Sequence, residues 1–389
     1  MLTLVFLATV INYLDRQALS VLAPVLTAEF GMSNTQYSHV VFAFMLAYTL
    51  SNAFSGAMLD RVGTKLGYAI CIAWWSAAGM LHALARGPVS LGVFRFLLGM
   101  GEAGNWPAGV RVVAEWFPVK ERALASGIFN SGSSIGAVIA APLVAWMAIR
   151  LGWQASFLVV GLSGFVWLLV WALVYRTPQS VKPELDLPPV PIRTILGTRW
   201  MRLFMLSKVF SDPVWYFYIF WFPQYLHLAR GFDLAAIGKV AWIPFLTADA
   251  GNLIGGWLSA ILLRQGLRPV KARKVCVALF SMLMTAAIPA VLTADLYLSI
   301  ACVSTATMGY TGALANLLSL PADVFPKNAI GSVWGLASMG SGFGGMVFSL
   351  ATGWAVDHYS FVPVFLGFGI MPLIAAALVW ALPETALTR

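Results

Sequence analysis

Charge is what this chain has least of. Charged residues occupy 10% of its 389 positions while 60% are hydrophobic, and the mean hydropathy is +0.83; a soluble domain is roughly 25% charged. The shortage excludes a water-soluble globule and points to a polytopic membrane protein. Cysteine and histidine are almost as scarce. Cys71, Cys276 and Cys302 fall within apolar runs without metal-ligand spacing, and His39, His82, His227 and His358 are scattered. No disulfide framework, metal site or other cofactor is expected.

What the chain does have is apolar runs of about 20 residues, enough at ~1.5 Å per residue to cross a hydrocarbon core of roughly 30 Å. Twelve can be marked off, near 2-26, 36-59, 66-86, 88-112, 123-148, 154-175, 201-228, 234-262, 274-293, 295-319, 329-354 and 361-382. Residues 1-26 are read as a span and not a signal peptide, because the run is longer than an h-region and contains Asn12, Asp15 and Arg16. The cytoplasmic lead-in before it is expected to be very short or missing.

The net charge of +9 raises nucleic acid or an acidic membrane surface as partners, but its placement argues for orientation instead. Basic residues gather after even-numbered spans: Arg61 and Lys65 after the second, Lys120 and Arg122 after the fourth, Arg176, Lys182, Arg193 and Arg199 after the sixth, and Arg264, Arg268, Lys271, Arg273 and Lys274 after the eighth. Cytoplasmic loops carry the excess of Lys and Arg. Both termini and the even loops are therefore expected in the cytoplasm.

A repeat organises the spans. EWFPVKERALASGIFNSGSSIGA follows the fourth span and DVFPKNAIGSVWGLASMGSGFGG the tenth. An offset of 208 residues pairs Glu115 with Asp323, Phe117 with Phe325, Pro118 with Pro326, Gly127 with Gly335, Gly132 with Gly340 and Gly136 with Gly344 without a gap. The polar, Pro-rich stretch from Arg176 to Trp200 lies where such a repeat requires a boundary. The expectation is an all-α membrane protein of two six-helix bundles, residues 1-175 and 201-389, joined by a cytoplasmic linker, 176-200, and related by a pseudo-two-fold axis. That layout resembles the major facilitator transporters, which rock one bundle against the other around a midplane site.

The loop after the second span, GAMLDRVGTKLG, resembles that superfamily's G-x-x-x-D-R-x-G-x-K loop. Gly56 and Gly63 allow close approach and tight turning, and Asp60, Arg61 and Lys65 can form ion pairs that hold a cytoplasmic gate in one state. An ordinary positive-inside loop with a turn glycine is the plainer alternative. The counterpart from Gly255 keeps glycines and basic residues but has no acid matching Asp60, so a weaker latch is expected there.

Ionisable residues at bilayer depth are costly and mark function by default. Asp15 and Arg16 sit in the first span, Arg95 and Glu102 in the fourth. A spacing of seven returns Arg95 and Glu102 to nearly one helix face. They could form a neutral structural network. The sharper reading gives Arg16, a planar fork of donors, to a carboxylate, and makes Asp15 and Glu102 candidates to bind and release protons, since burial disfavours the charged form.

Tyr13-x-Asp15-Arg16, Tyr48, Arg95 with Glu102 in RFLLGMGEA, and EWFPVKERALASG resemble the anion:cation symporter branch of the superfamily. FNSGSSIGA, Pro213 with Trp215, and AWIPFLTADAGNLIGG extend the likeness to its bacterial hexuronate transporters over nearly the full length. The resemblance implies proton-coupled uptake of a sugar acid such as glucuronate or galacturonate. It implies Arg16 as carboxylate anchor, Asp15 and Glu102 as proton-coupling acids, Arg95 as partner of an acid, and Tyr13 and Tyr48 as hydroxyl donors. Aldonate-transporting relatives carry Gln where this chain has Ser133.

In the second half, Lys208 with Asp212 could form a pair or help hold the anion, and Trp215 could stack on a sugar face or belong to an interfacial belt. Asn252 and Tyr310 are further binding candidates, with helix packing as the alternative. Rivals are an aldonate symporter or organic-anion exchanger, a membrane-embedded enzyme and a transporter-like sensor. An enzyme would need a nucleophile or acid-base set that is not recognisable here, and the 25-residue linker leaves no room for a signalling region. The expected partners are a small organic anion, protons and lipid, not nucleic acid. A monomer in a bacterial-type inner membrane is expected.

Overall fold

The computed structural model describes residues 1–176 and 190–385; residues 177–189 of the expected linker and residues 386–389 lie outside the described residues. All described elements are helices. The first six expected spans are α1 (Leu2–Glu29), α2 (Asn34–Val62), α3 (Thr64–Leu81), α4 (Pro88–Glu102) continued by α5 (Asn105–Trp116), α6 (Val119–Leu151) and α7 (Trp153–Val174). A short α8 (Ile192–Gly197) leads into α9 (Arg199–Arg230). The rest are α10 (Leu234–Val240) with α11 (Ile243–Arg264), α12 (Pro269–Met284) with α13 (Ala287–Leu292), α14 (Leu296–Val324), α15 (Ile330–His358) and α16 (Phe361–Trp380). Each of the twelve expected spans is present as a helix or a broken pair.

Among the described residues, eight spans are long and apolar enough by themselves to cross a membrane, or nine with the bent α2. The three that fall short are α1, α4 with α5, and α9. These are the spans that carry Asp15 and Arg16, Arg95 and Glu102, and Lys208 and Asp212. Among the described residues the buried Asp, Glu, Lys and Arg side chains all lie in these three spans.

Local signals explain the helix ends. Ser33 and Gln36 form a reciprocal capping box at the start of α2, each side chain accepting from the other's backbone N–H at 3.1 and 3.0 Å. Asp233 and Asp295 cap α10 and α14 in the same sense. Gly63, at φ +83°, makes the sharp turn from α2 into α3.

The chain forms two compact units, Met1–Lys182 with Ile219–Trp242, and Pro183–Tyr218 with Ile243–Arg389. In the first, α1 packs along α6, α2 on α4, and α3 on α4 and α7, while α10 lies against α6. In the second, α14 packs on α11 and α12, and α16 on α12 and α13.

The sequence repeat reappears as a packing device. Gly132 and Gly136 of α6 press on the carbonyls of Phe6 and Val10 of α1, which an added Cβ would approach to 2.6 and 2.7 Å. Their partners Gly340 and Gly344 of α15 press in the same way on Met205 and Val209 of α9, at 2.7 and 2.5 Å. Two small residues one turn apart let helix backbones meet without lipid between them. Each unit uses the device on the helix that carries its first buried charges.

Candidate functional site

Helix α1 buries Asp15 and Arg16, and α4 buries Arg95 and Glu102 completely. Arg16 donates from Nε and Nη2, at 3.0 and 2.8 Å, to one and the same oxygen, Oε2 of Glu102. Glu102 Oε1 is left without a hydrogen-bond partner. Three rings surround the guanidinium: its carbon lies 4.7 Å from the Tyr48 ring centre, 4.9 Å from Tyr13 and 5.3 Å from Phe44. Their π faces stabilise the cation where water is excluded. Ser133 of α6 donates to the Asn130 carbonyl at 2.7 Å. Tyr13, Arg16, Tyr48 and Glu102 therefore come together from three helices.

Asp15, the next residue to Arg16, points another way, as adjacent helical positions must. Its Oδ1 lies against α3, so that a Cβ on Gly79 would come within 2.7 Å of it, and its Oδ2 has no hydrogen-bond partner. Arg95 reaches the main-chain carbonyls of Asp15 and Arg16 at 3.5 Å. Among the described residues it has no carboxylate within ion-pair distance, and its Nε is unpaired. Buried charge with incomplete hydrogen bonding is costly.

Sequence reasoning passed over the polar residues beside this group. Asn105, at the break between α4 and α5, accepts from the Tyr68 hydroxyl at 2.7 Å and donates to Thr9 at 3.2 Å. Asn12 is fully buried with both amide atoms unpartnered. The available signal was a carboxamide inside a span; Gly79 offered none.

In the second unit, Lys208 pairs with Asp212 one turn along α9, Nζ to Oδ2 at 2.8 Å. Ser211 donates to the other carboxylate oxygen at 2.8 Å. Trp215 stacks on Tyr310 of α14, ring centres 5.2 Å apart and planes 8° from parallel, with Phe245 edge-on at 5.8 Å. Asn252 is exposed on α11 and shares no hydrogen bond with this group among the described residues. Other polar residues of α14 hold helices together: Thr311 donates to the Ala248 carbonyl and Asn316 to that of Gly255, at 2.5 and 3.1 Å.

The expected gate is tied down mainly by residues outside its motif. Asp60 pairs with Arg111 of α5 at 2.7 Å, and Arg111 with Glu115 at 3.1 Å. Glu115 also accepts from Thr64 at the start of α3 and from Tyr175 at the end of α7, at 2.5 and 2.6 Å. Burial, with the Glu115 hydrogen bond and charge beside it, raises the pKa of Tyr175, which keeps that hydroxyl a donor. Arg61 and Lys65 are exposed; the Lys65 carbonyl accepts from Trp171. Gly56 has open space beside it. In the second unit the repeat partner of Glu115, Asp323, meets Arg273 at 3.4 Å, and Arg273 also donates to Ser259 at 2.6 Å. Among the described residues no three His, Cys, Asp or Glu side chains cluster as metal ligands.

Residues 5–347 match the family model described as Major Facilitator Superfamily. A hexuronate transporter of Escherichia coli (strain K12) is 32% identical over 98% of this chain and 92% of its own length. A galacturonate transporter of Dickeya chrysanthemi is 34% identical over 79% of this chain and 95% of its own. In three dimensions the chain is similar to the crystal structure of a D-xylose-proton symporter, with a TM-score of 0.81 at 15% identity over 100% of this chain and 99% of the other. Each of the three is named for transport, none for an enzyme activity.

Proposed function

Because the chain belongs to the Major Facilitator Superfamily, we propose that it is a proton-coupled importer of a sugar acid, with a hexuronate such as galacturonate or glucuronate as substrate. It works by alternating access of two bundles in a bacterial-type inner membrane, with both termini cytoplasmic. The names of the relatives support the substrate class, and the residues support the coupling.

One observation carries the reading: both inward donors of Arg16 rest on a single carboxylate oxygen of Glu102 in a buried, aromatic-lined setting. A substrate carboxylate needs the same planar fork, so Glu102 competes with it while charged. A proton on Glu102 removes the charge and releases Arg16 to the anion. Proton and anion then bind together, and neither is carried well alone. Tyr13, Tyr48 and Ser133 supply hydroxyl partners for the sugar. Within the second unit, Lys208, Trp215, Tyr310 and Asn252 are the substrate-binding candidates. Asp15 is the second acid, reset by movement of Arg95. The network of Asp60, Arg111, Glu115, Thr64 and Tyr175 holds the cytoplasmic ends of α2, α3, α5 and α7 in one arrangement and must rearrange as the gate moves.

The test is uptake of labelled galacturonate into proteoliposomes under an inward proton gradient, with glucuronate, galactonate and a neutral sugar as competitors. Gradient-dependent accumulation blocked chiefly by glucuronate is expected. Uptake blocked chiefly by galactonate would make this an aldonate transporter, and uptake indifferent to the gradient would remove the coupling.

A further inference from the structure

We propose that Asp212 sets the charge of the substrate this protein accepts: by neutralising Lys208 it restricts the second unit to anions with one carboxylate. The inference rests on the reading of Lys208 as a substrate-facing residue under Proposed function.

The pair is not there for the helix. Lys208 precedes Asp212 by four residues, the order that the helix dipole favours less. Nor does a buried ion pair stabilise a fold much relative to apolar residues of the same size. Its two side chains are 4% and 6% exposed, and it occupies a span that is too polar to qualify as membrane-crossing on hydropathy alone. A pair kept under those conditions marks function. Asp212 is also fully engaged, one oxygen on Lys208 and the other on the Ser211 hydroxyl. It is therefore a standing counter-ion, unlike Glu102 and Asp15, which each leave a carboxylate oxygen unpartnered.

The charges balance as a consequence. Among the described residues the buried charged side chains are Asp15, Glu102 and Asp212 against Arg16, Arg95 and Lys208. Lys208 and Asp212 are the second unit's share of these, so with Lys208 neutralised that unit offers no unpaired buried cation among the described residues. A dianion brings a second carboxylate for which Lys208 is the natural partner, but Asp212 already occupies it. Removing the Asp212 charge frees Lys208 and converts the second unit to a cationic subsite, suited to a six-carbon diacid.

The test compares galacturonate with galactarate, which keeps the same carbon skeleton and carries a second carboxylate, by ligand-induced thermal stabilisation of the purified protein in detergent. Only folded protein reports in this assay, and Asp212→Ser serves if Asp212→Asn does not fold. Asp212→Asn is expected to raise the affinity for galactarate relative to galacturonate by about tenfold or more. The double change Lys208→Gln with Asp212→Asn is expected to return the ratio to that of the parent. An unchanged ratio in a ligand-binding Asp212 variant overturns the inference, as does an equal shift in the double variant. A parent protein that binds neither acid removes the proposed function and this inference with it.

Discussion

Replacing Glu102 with Gln deletes one buried charge and keeps the length of the side chain and one acceptor oxygen. In the parent, Arg16 makes two charge-assisted bonds to Oε2, at 3.0 and 2.8 Å. With Gln the guanidinium donor stays charged, so the loss is the coupling between the two opposite charges, which for close pairs starts at about 1.5 kcal/mol. Arg16 is then held at least about 1.5 kcal/mol less firmly, which is about tenfold easier release to a substrate carboxylate. The opposing term is stability. Removing one member of a buried pair costs about 3–5 kcal/mol when nothing replaces it, and the remaining acceptor keeps the loss near the lower end. Glu102→Gln should therefore melt earlier than the parent and regain part of the loss on adding galacturonate. Binding to the purified protein at acidic and alkaline pH, paired with counterflow and gradient-driven uptake in proteoliposomes, separates the two roles. Parent affinity should rise as pH falls, because protonation of Glu102 releases Arg16. The variant should bind about tenfold more tightly at alkaline pH, show little change with pH, exchange substrate and fail to accumulate it. Full accumulation by Glu102→Gln, or parent-like pH dependence of its binding, would refute the release mechanism.

Two other outcomes follow from the same geometry. Arg16→Lys puts a compact ammonium where a planar fork bridges acid and rings, and binding of galacturonate should fall by about tenfold or more; near-parent affinity would remove Arg16 as the anchor. Gly79→Ala sets a Cβ 2.7 Å from Asp15 Oδ1, and such overpacking costs about 1–3 kcal/mol. That change should lower the thermal midpoint and slow uptake while Gly127→Ala, which has open space beside it, should do neither; equal behaviour of the two would show that Asp15 is not confined by α3.

Legibility differed from element to element for physical reasons. The spans were readable because the thickness of a bilayer and the rise of a helix leave little freedom in how long an apolar run must be. The repeat was readable because Gly132 and Gly136, like Gly340 and Gly344, have to be small to bring two backbones together. The gate was half readable: its motif displays Asp60 and contains Thr64, but their contacts come from Arg111 and Glu115, with Tyr175 joining at Glu115, and these three lie outside the motif on other elements. Glu115 and Asp323 align across the repeat, yet an alignment does not reveal that each clamps the start of a neighbouring helix.

The charged cluster shows where the division lies. Sequence alone determined that α1, α4 and α9 carry buried ionisable groups, because a charged residue inside an apolar run needs only local composition to be noticed. It also set the facing of Arg95 and Glu102 within α4, through the helical period. Which cation meets Glu102 was decided by tertiary structure: Arg16, 86 residues away in the chain, holds it, while Arg95 turns to the carbonyls beside Asp15. Helical periodicity is a property of one segment, whereas that pairing depends on the depth and rotation at which α1 packs beside α4, and no residue pattern within either helix encodes both.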